Sequence, residues 1–384
     1  MNIGIVCYPT FGGSGVVATE LGKALAQKGH NIHFITYREP VRLDIFSENI
    51  FYHEVTVKNY SLFEYAPYEL CLTSKMVSVA KREKLDVLHV HYAIPHASAA
   101  YMAKQILASE GINLPFITTL HGTDITLLGK DPSFLGPITF AINQSDAITA
   151  VSESLRNDTF SNFKITKDIH VIPNFIDVPF YSQKNTETGD CKNKMYAPNG
   201  EKIITHISNF RKVKRTEDVI KVFDKVSKQI PCKLLMVGDG PEREMCEDLA
   251  KQLGCEQHVK FLGKVTTPEK ILSITDLFLL PSETESFGLS ALEAMAASVP
   301  VISSNAGGIP EVNIHGVTGY TSNVGDVYDM AKNCLTLLRD NDKFMAFKFS
   351  ALQQAKEFQL DKVLPLYENL YQQVIKKQEA VLTT

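Results

Sequence analysis

Short apolar runs alternate with longer amphipathic stretches along the 384 residues. Residues 2–7, 32–36, 87–90, 116–120, 147–151 and 170–172 have the length and near-continuous apolar character of buried strands. Between them, 13–28, 73–84, 96–109 and 153–161 carry apolar positions at helical spacing. This alternation predicts a parallel sheet covered on both faces. The rhythm breaks at 179–200, a polar stretch that reads as linker and loop. It then restarts. Strands are predicted at 203–208, 233–237, 259–262, 276–280 and 301–303, and helices at 216–229, 242–254, 287–297 and 326–338.

The last segment, about 360–380, places Leu364, Tyr367, Leu370, Tyr371 and Val374 on one helical face. It is expected to pack on one domain or to tie two together. The chain is too long for one ordinary core. The expected architecture is α/β, with two doubly wound Rossmann-like domains, 1–178 and 201–359, facing across a cleft, and with the 360–380 helix returning to the first. Ligands of such sheets bind beyond the carboxyl ends of the strands, so the strand-to-helix loops are where chemistry is sought.

Composition narrows the picture. Hydrophobic residues make up 44% and charged residues 21%, which is globular, and the net charge of −4 supplies no basic field for nucleic acid. The seven cysteines are scattered and form no CxxC pair, which argues for a reducing cytoplasm rather than a disulfide framework or zinc site. The start, MNIGIVCYPTFGG, reads as a buried strand without a basic leader, and no apolar run is long enough to span a membrane. The N-x-S/T triplets at Asn59, Asn143 and Asn157 then carry no meaning.

Five loops hold candidate chemistry. FGGSG at 11–15 opens the first helix, where glycine backbone can approach an anion at the helix start. The plainer reading is a tight turn with Ser14 as a cap. Its Gly13-Gly15-Ala18 spacing resembles a dinucleotide fingerprint but does not follow its strand directly. LHVHYAIPH holds His89, His91 and His96, with Tyr92 at the strand end. Two histidines on one strand face can serve a metal, but no nearby carboxylate or cysteine completes a site, which favours a non-metal role. TTLHGTD places His121 at a strand's carboxyl end beside a glycine.

In the second half, NFRKVKR spans Asn209 to Arg215 with four cations. A diphosphate leaving group needs such charge, and a solvated basic face is the alternative. PSETESFGLSALEAM sets Glu285 and Glu293 eight residues apart around a helix start. The free N–H groups near Phe287, Gly288 and Leu289 suit an anion, and the carboxylates suit sugar or ribose hydroxyls, with ordinary helix capping as the alternative. Asp340 and Asp342 form a DxD that reads as a polar turn between late helices.

At these motifs the chain resembles the retaining glycosyltransferases of family 4, which have the GT-B fold. Glu285 and Glu293 with SFGL between them match the family's E-x7-E motif. GDGPE at 238–242, NFRKVKR at 209–215 and NAGGIPE at 305–311 fit as well, and the likeness runs over nearly the whole chain. CYPTFGGSGVVATELG, HYAIPHA, TTLHGTDIT and IPNFID are similar to the bacterial branch of bacillithiol biosynthesis.

The resemblance implies UDP-N-acetylglucosamine as donor, L-malate as acceptor, and retention at the anomeric carbon. It implies that Glu293 holds the ribose and Glu285 a hydroxyl of the transferred sugar. Gly13, Ser14, Asn209, Ser286, Phe287, Gly288 and Leu289 would complete the donor side. Arg211 with Lys214 or Arg215 would neutralise the diphosphate, and His121 would sit beside the anomeric carbon. Ser14, Tyr92, Thr119 and Arg211 would serve the acceptor. It also implies no metal cofactor, the leaving phosphate itself taking the acceptor's proton. Homo-oligomerisation is compatible with all of this. The rival readings are a family 4 enzyme with another small acceptor, a nucleotide-sugar epimerase, a dinucleotide oxidoreductase, and a non-catalytic nucleotide-sugar sensor.

Overall fold

The computed structural model describes residues 1–10, 12–57, 64–182 and 195–382. Phe11 of the glycine loop, Asn59, and residues 183–194 of the 179–200 stretch, with Cys191, lie outside the described residues. The chain divides into two compact units, Met1–Asn174 with Leu360–Thr384, and Phe175–Gln359. The pattern-based division at 178 differs by four residues. Ile176 already belongs to the second unit, because its N–H donates to Phe358 O at 2.9 Å and it bridges to Gln359.

The first unit is a seven-stranded parallel sheet. Its strands are β1 (Asn2–Val6), β2 (Asn31–Thr36), β3 (Ile50–Glu54), β4 (Val87–His91), β5 (Phe116–Leu120), β6 (Ala147–Ala150) and β7 (Ile169–Val171). Their spatial order is β3-β2-β1-β4-β5-β6-β7. The central strands β4 and β5 are buried at every position, as expected for a sheet covered on both faces. Strand β3 has no counterpart in the hydrophobic pattern. It is an edge strand, IFYHE, with only Ile50 buried, so no apolar run announces it. The helix Pro132–Gln144 is likewise unannounced, because Gly136 and Pro137 interrupt its periodicity.

The helix Leu360–Leu382 belongs to this first unit. Leu364, Tyr367, Leu370, Tyr371 and Val374 are all buried. The Tyr371 hydroxyl pairs with His89 Nδ1 at 2.7 Å, and His30 Nε2 lies 3.0 Å from Glu368 Oε1. A helix of this length gains most of its stability from such a buried face.

The second unit is a six-stranded parallel sheet, with β8 (Lys202–Ile207), β9 (Cys232–Val237), β10 (Val259–Gly263), β11 (Leu277–Leu280), β12 (Val301–Ser304) and β13 (Gly319–Ser322). The order is β10-β9-β8-β11-β12-β13. A Cβ on Gly319 would meet Val301 O at 1.8 Å, so β13 can pair this closely only with glycine there. The helix predicted at 287–297 starts later, at Leu289, because Gly288 takes a left-handed conformation (φ +94°) just before it. The DxD is not a free turn. Asp340 separates the helices Val327–Arg339 and Asn341–Glu357, its carboxylate accepts from Lys343 N at 3.0 Å, and Asp342 lies in the first helical turn.

Both orders reverse direction once, between β1 and β4 and between β8 and β11. Loops after those strands diverge and open a crevice in each sheet. The six described cysteines are free thiols. Among the described residues, no helix is long and apolar enough to cross a membrane.

Candidate functional site

In the first unit, the reversal point is flanked by the glycine loop after β1 and by HYAIPH after β4. Gly15 lies against the β1 loop, and a Cβ there would meet Tyr8 O at 2.5 Å and Thr10 O at 2.6 Å. Ser14 is not the helix cap. Gly12 holds that position without a side-chain bond, and the Ser14 hydroxyl instead accepts from Tyr92 OH at 2.8 Å. Tyr92 has φ +84°, which turns the chain out of β4. The turn that follows, Ala93–Ala97, is held by Asp124. This buried carboxylate accepts from Ala93 N at 2.8 Å and Gly122 N at 3.3 Å. Burial pushes Asp124 up to about 6, against the pull of these N–H donors.

Four imidazoles gather at the ends of β4 and β5. His91 Nδ1 lies 2.8 Å from His121 Nε2. The His89 ring stacks on His91 with centroids 4.5 Å apart, and His96 Nδ1 donates to the His91 carbonyl. Burial pushes His89 and His121 down to about 3 and His96 to about 4, and holds His91 well below the ordinary range. These rings are therefore neutral near pH 7. Among the described residues, no group of three or more His, Cys, Asp or Glu is placed to hold a metal ion. Thr119 differs from its expected position on the acceptor side. It is fully buried, and its hydroxyl is shared between His89 Nε2 at 2.7 Å and Thr149 Oγ1 at 2.6 Å.

In the second unit, NFRKVKR follows β8 and PSETESFG follows β11, so both lie at the reversal point. Lys214 Nζ donates to Glu285 Oε2 at 2.5 Å. Arg215 is turned away from that pair. With φ +48° it starts the helix Thr216–Ser227, bonds Asp218 at 2.6 Å, and approaches Glu283 at 4.0 Å. Arg211 and Lys212 are exposed, as is Asn209. Glu293 lies in the second turn of Leu289–Ala296 and accepts from Tyr181 OH at 2.8 Å. Phe287 and Gly288 are buried, whereas Ser286 and Leu289 are partly exposed.

The glycine motifs brace these loops. A Cβ on Gly307 (φ +53°) would meet Glu285 O at 1.9 Å, and Gly308 N donates to the same oxygen at 3.0 Å. A Cβ on Gly238 (φ +123°) would meet Ser208 O at 1.8 Å, while Phe210 N donates to Asp239 O at 3.0 Å. GDGPE and NAGGIPE thus act as templates that hold the basic loop and the first glutamate by backbone contact.

Comparison with known proteins decides the family. Residues 11–179 match Glycosyltransferase Family 4, and residues 190–353 match the Glycosyl transferases group 1 family. The chain is 50% identical over 377 residues, 98% of each chain, to the N-acetyl-alpha-D-glucosaminyl L-malate synthase of Bacillus anthracis. This chain belongs to the family 4 glycosyltransferases. Its fold is shared with Anabaena HepE in complex with UDP and glucose, at TM-score 0.84, 18% identity, and 97% and 100% coverage of the two chains. A glycosyltransferase from Rickettsia africae aligns at TM-score 0.81 and 21% identity over 98% of both chains. The expected GT-B architecture of two Rossmann-like domains is thus found.

Within this family 4 glycosyltransferase, the sequence pattern overlooks several residues that shape the site. Tyr181 reaches Glu293 from the 179–200 stretch, read only as linker. It is buried while its neighbour Phe180 is exposed, and that difference exists only in the fold. Asp124, three residues after His121, lies in the mostly polar segment TTLHGTDIT, where nothing in the pattern sets it apart. The His91–His121 pair joins residues 30 apart and has no local signature.

Proposed function

We propose that this glycosyltransferase moves N-acetylglucosamine from UDP-N-acetylglucosamine to L-malate with retention at the anomeric carbon, the first step of bacillithiol biosynthesis. The observation that carries this reading is the 50% identity over 98% of both chains to the Bacillus anthracis malate synthase. The free thiols suit a reducing cytoplasm.

In this reading, Glu293 binds the ribose, and Tyr181 orients its carboxylate. Glu285 holds a hydroxyl of the transferred sugar. Lys214 and Arg211 neutralise the diphosphate as its charge grows. The geometry favours Lys214 over Arg215, since the Arg215 guanidinium is committed to Asp218. Backbone N–H groups at Phe287, Gly288 and Leu289 add to the anion's stabilisation, and Asn209 and Ser286 are assigned to the donor as well. Ser14 and Tyr92, already bonded to each other, serve the acceptor. Thr119 is left out of the acceptor set because its hydroxyl is committed inside the sheet.

No carboxylate is assigned as nucleophile, and no metal. The leaving phosphate accepts the malate hydroxyl's proton as the glycosidic bond breaks, and the protein contributes position and charge. Mass and anomeric NMR analysis of products from UDP-N-acetylglucosamine with a panel of small acids tests the reading. UDP and the α-linked malate glycoside are expected. A β-linkage overturns retention, and a different preferred acid overturns the acceptor.

A further inference from the structure

We propose that His91 is a positioning residue that donates its Nδ1–H to His121 Nε2 and so holds His121 as the Nδ1–H tautomer. His121 then offers its ligand a hydrogen-bond donor and not a base. The inference rests on the proposed function only in taking the donor's anomeric carbon, which the family resemblance sets beside His121, as its ligand.

Three observations lead to it. First, His91 Nδ1 and His121 Nε2 are 2.8 Å apart, so one must donate and the other accept. Second, the rings are neutral, so each has a single N–H. Third, His91 is fully buried and its Nε2 has no hydrogen-bond partner among the described residues.

The third observation sets the direction. If His121 donated, the only proton on His91 would sit on Nε2, as a buried N–H without an acceptor. If His91 donates, Nε2 carries a bare lone pair. Orphaned N–H groups are rarer in folded proteins than under-satisfied acceptors, so the second arrangement is favoured. His96 follows the same rule beside it. Its Nδ1 faces the His91 carbonyl, which can only accept, so its proton is on Nδ1 and the lone pair is on its own unpartnered Nε2.

The His91 backbone is fixed as well. It lies in β4, paired to β5 with His91 opposite Thr119, and its ring is packed on His89. The donor is thus held on a rigid strand, and the tautomer of His121 is chosen before any substrate arrives. With Nε2 occupied and Nδ1 protonated, His121 has no free lone pair with which to take the acceptor's proton. That agrees with a mechanism in which the leaving phosphate takes it.

The test is 15N NMR of the full chain labelled at histidine, without substrate, together with kinetics of His91→Asn and His91→Phe. Wild-type His121 should show a protonated Nδ1 and a bare Nε2. The amide N–H of Asn can stand where Nδ1–H stood, so His91→Asn should keep that tautomer and most of kcat. His91→Phe should lose the tautomer and lower kcat by about tenfold, the loss of one hydrogen bond, with KM for the donor little changed. His121 protonated on Nε2 in the wild type would overturn the proposal, as would His91→Phe with the tautomer unaltered. The spectrum needs no turnover. An Nδ1–H signature in a chain that transfers nothing to malate would therefore refute the substrate assignment and still uphold the His91–His121 pair.

Discussion

Lys214 Nζ lies 2.5 Å from Glu285 Oε2, joining the loop after β8 to the loop after β11 at the point where the second sheet reverses direction. Both side chains are largely but not fully covered, at 20% and 16% exposure. The ammonium and carboxylate compensate each other while no donor is bound, so neither charge is buried alone. In the proposed function, a diphosphate arriving beside Lys214 would exchange one anionic partner for another and free Glu285 to accept from a sugar hydroxyl.

The four cations of 209–215 should therefore separate by role. Lys214→Ala and Arg211→Ala are expected to lower kcat by about 10²–10³ with less change in KM, because the leaving phosphate carries more charge in the transition state than in the bound donor. Lys212→Ala should change little. Arg215→Ala should lower the unfolding temperature more than turnover, since Asp218 is almost fully buried against it. Steady-state kinetics and thermal melts of the four variants check this. Equal, mild effects throughout would make the loop a solvated basic surface.

The two glutamates should differ in what they bind. Glu293→Ala is expected to weaken UDP by about 1–3 kcal/mol, the cost of a charged hydrogen bond. Tyr181→Phe should weaken it by less, because it removes only the group that orients the carboxylate. Glu285→Ala should leave UDP binding nearly intact while lowering turnover. Calorimetric titration with UDP separates these outcomes, and equal losses at both glutamates would refute the division.

Gly307→Ala should damage the site from outside it. The new Cβ would meet Glu285 O at 1.9 Å, at a residue with φ +53°, so the Glu285 loop has to move. Turnover is expected to fall by about a hundredfold, since a small misplacement at a reacting centre is costly. UDP affinity should fall much less. A fully active Gly307→Ala enzyme would show that the backbone of Glu285 need not be held.

Activity should survive excess EDTA, because cationic side chains and helix N–H groups take the role that a divalent ion fills elsewhere. Loss of turnover on chelation, with recovery on adding Mg²⁺ or Mn²⁺, would overturn the metal-free reading.

Acid should destabilise the fold before most carboxylates titrate. His89 and His121 are held near 3, and His96, His206 and His53 near 4, all below the ordinary 6.5. The unfolded chain then binds protons that the folded chain does not. Their contribution is complete above about pH 6.5 and is lost as pH falls towards 4 and 3. Asp124, raised from 3.8 to about 6, acts in the opposite sense, because the folded chain protonates it first. Five imidazoles outweigh one carboxyl. Urea unfolding should show a lower midpoint at about pH 5 than at about pH 7.5. An unchanged or higher midpoint at the lower pH would contradict the buried, neutral state of these rings.

Much of this protein was determined by the sequence alone. The alternation of apolar runs and amphipathic stretches specified two parallel sheets, because strand and helix periods are local properties of the chain. The buried face of Leu360–Leu382 was legible at Leu364, Tyr367, Leu370, Tyr371 and Val374 for the same reason. Glu285 and Glu293 stood out through their resemblance to the E-x7-E motif, since two glutamates around a helix start are by themselves ordinary capping residues. What lacked a local period was hidden: edge strand β3, glycine-led β13, and the helix Pro132–Gln144 with Gly136 and Pro137 inside it. Only the tertiary structure decided that Lys214 and not Arg215 meets Glu285, that Thr119 serves His89 and Thr149, that Tyr181 reaches Glu293, and that His91 meets His121. Each of those facts joins residues far apart in the chain. They follow from strand order and from which side chains a buried polar group finds as partners, and neither leaves a repeat in the sequence.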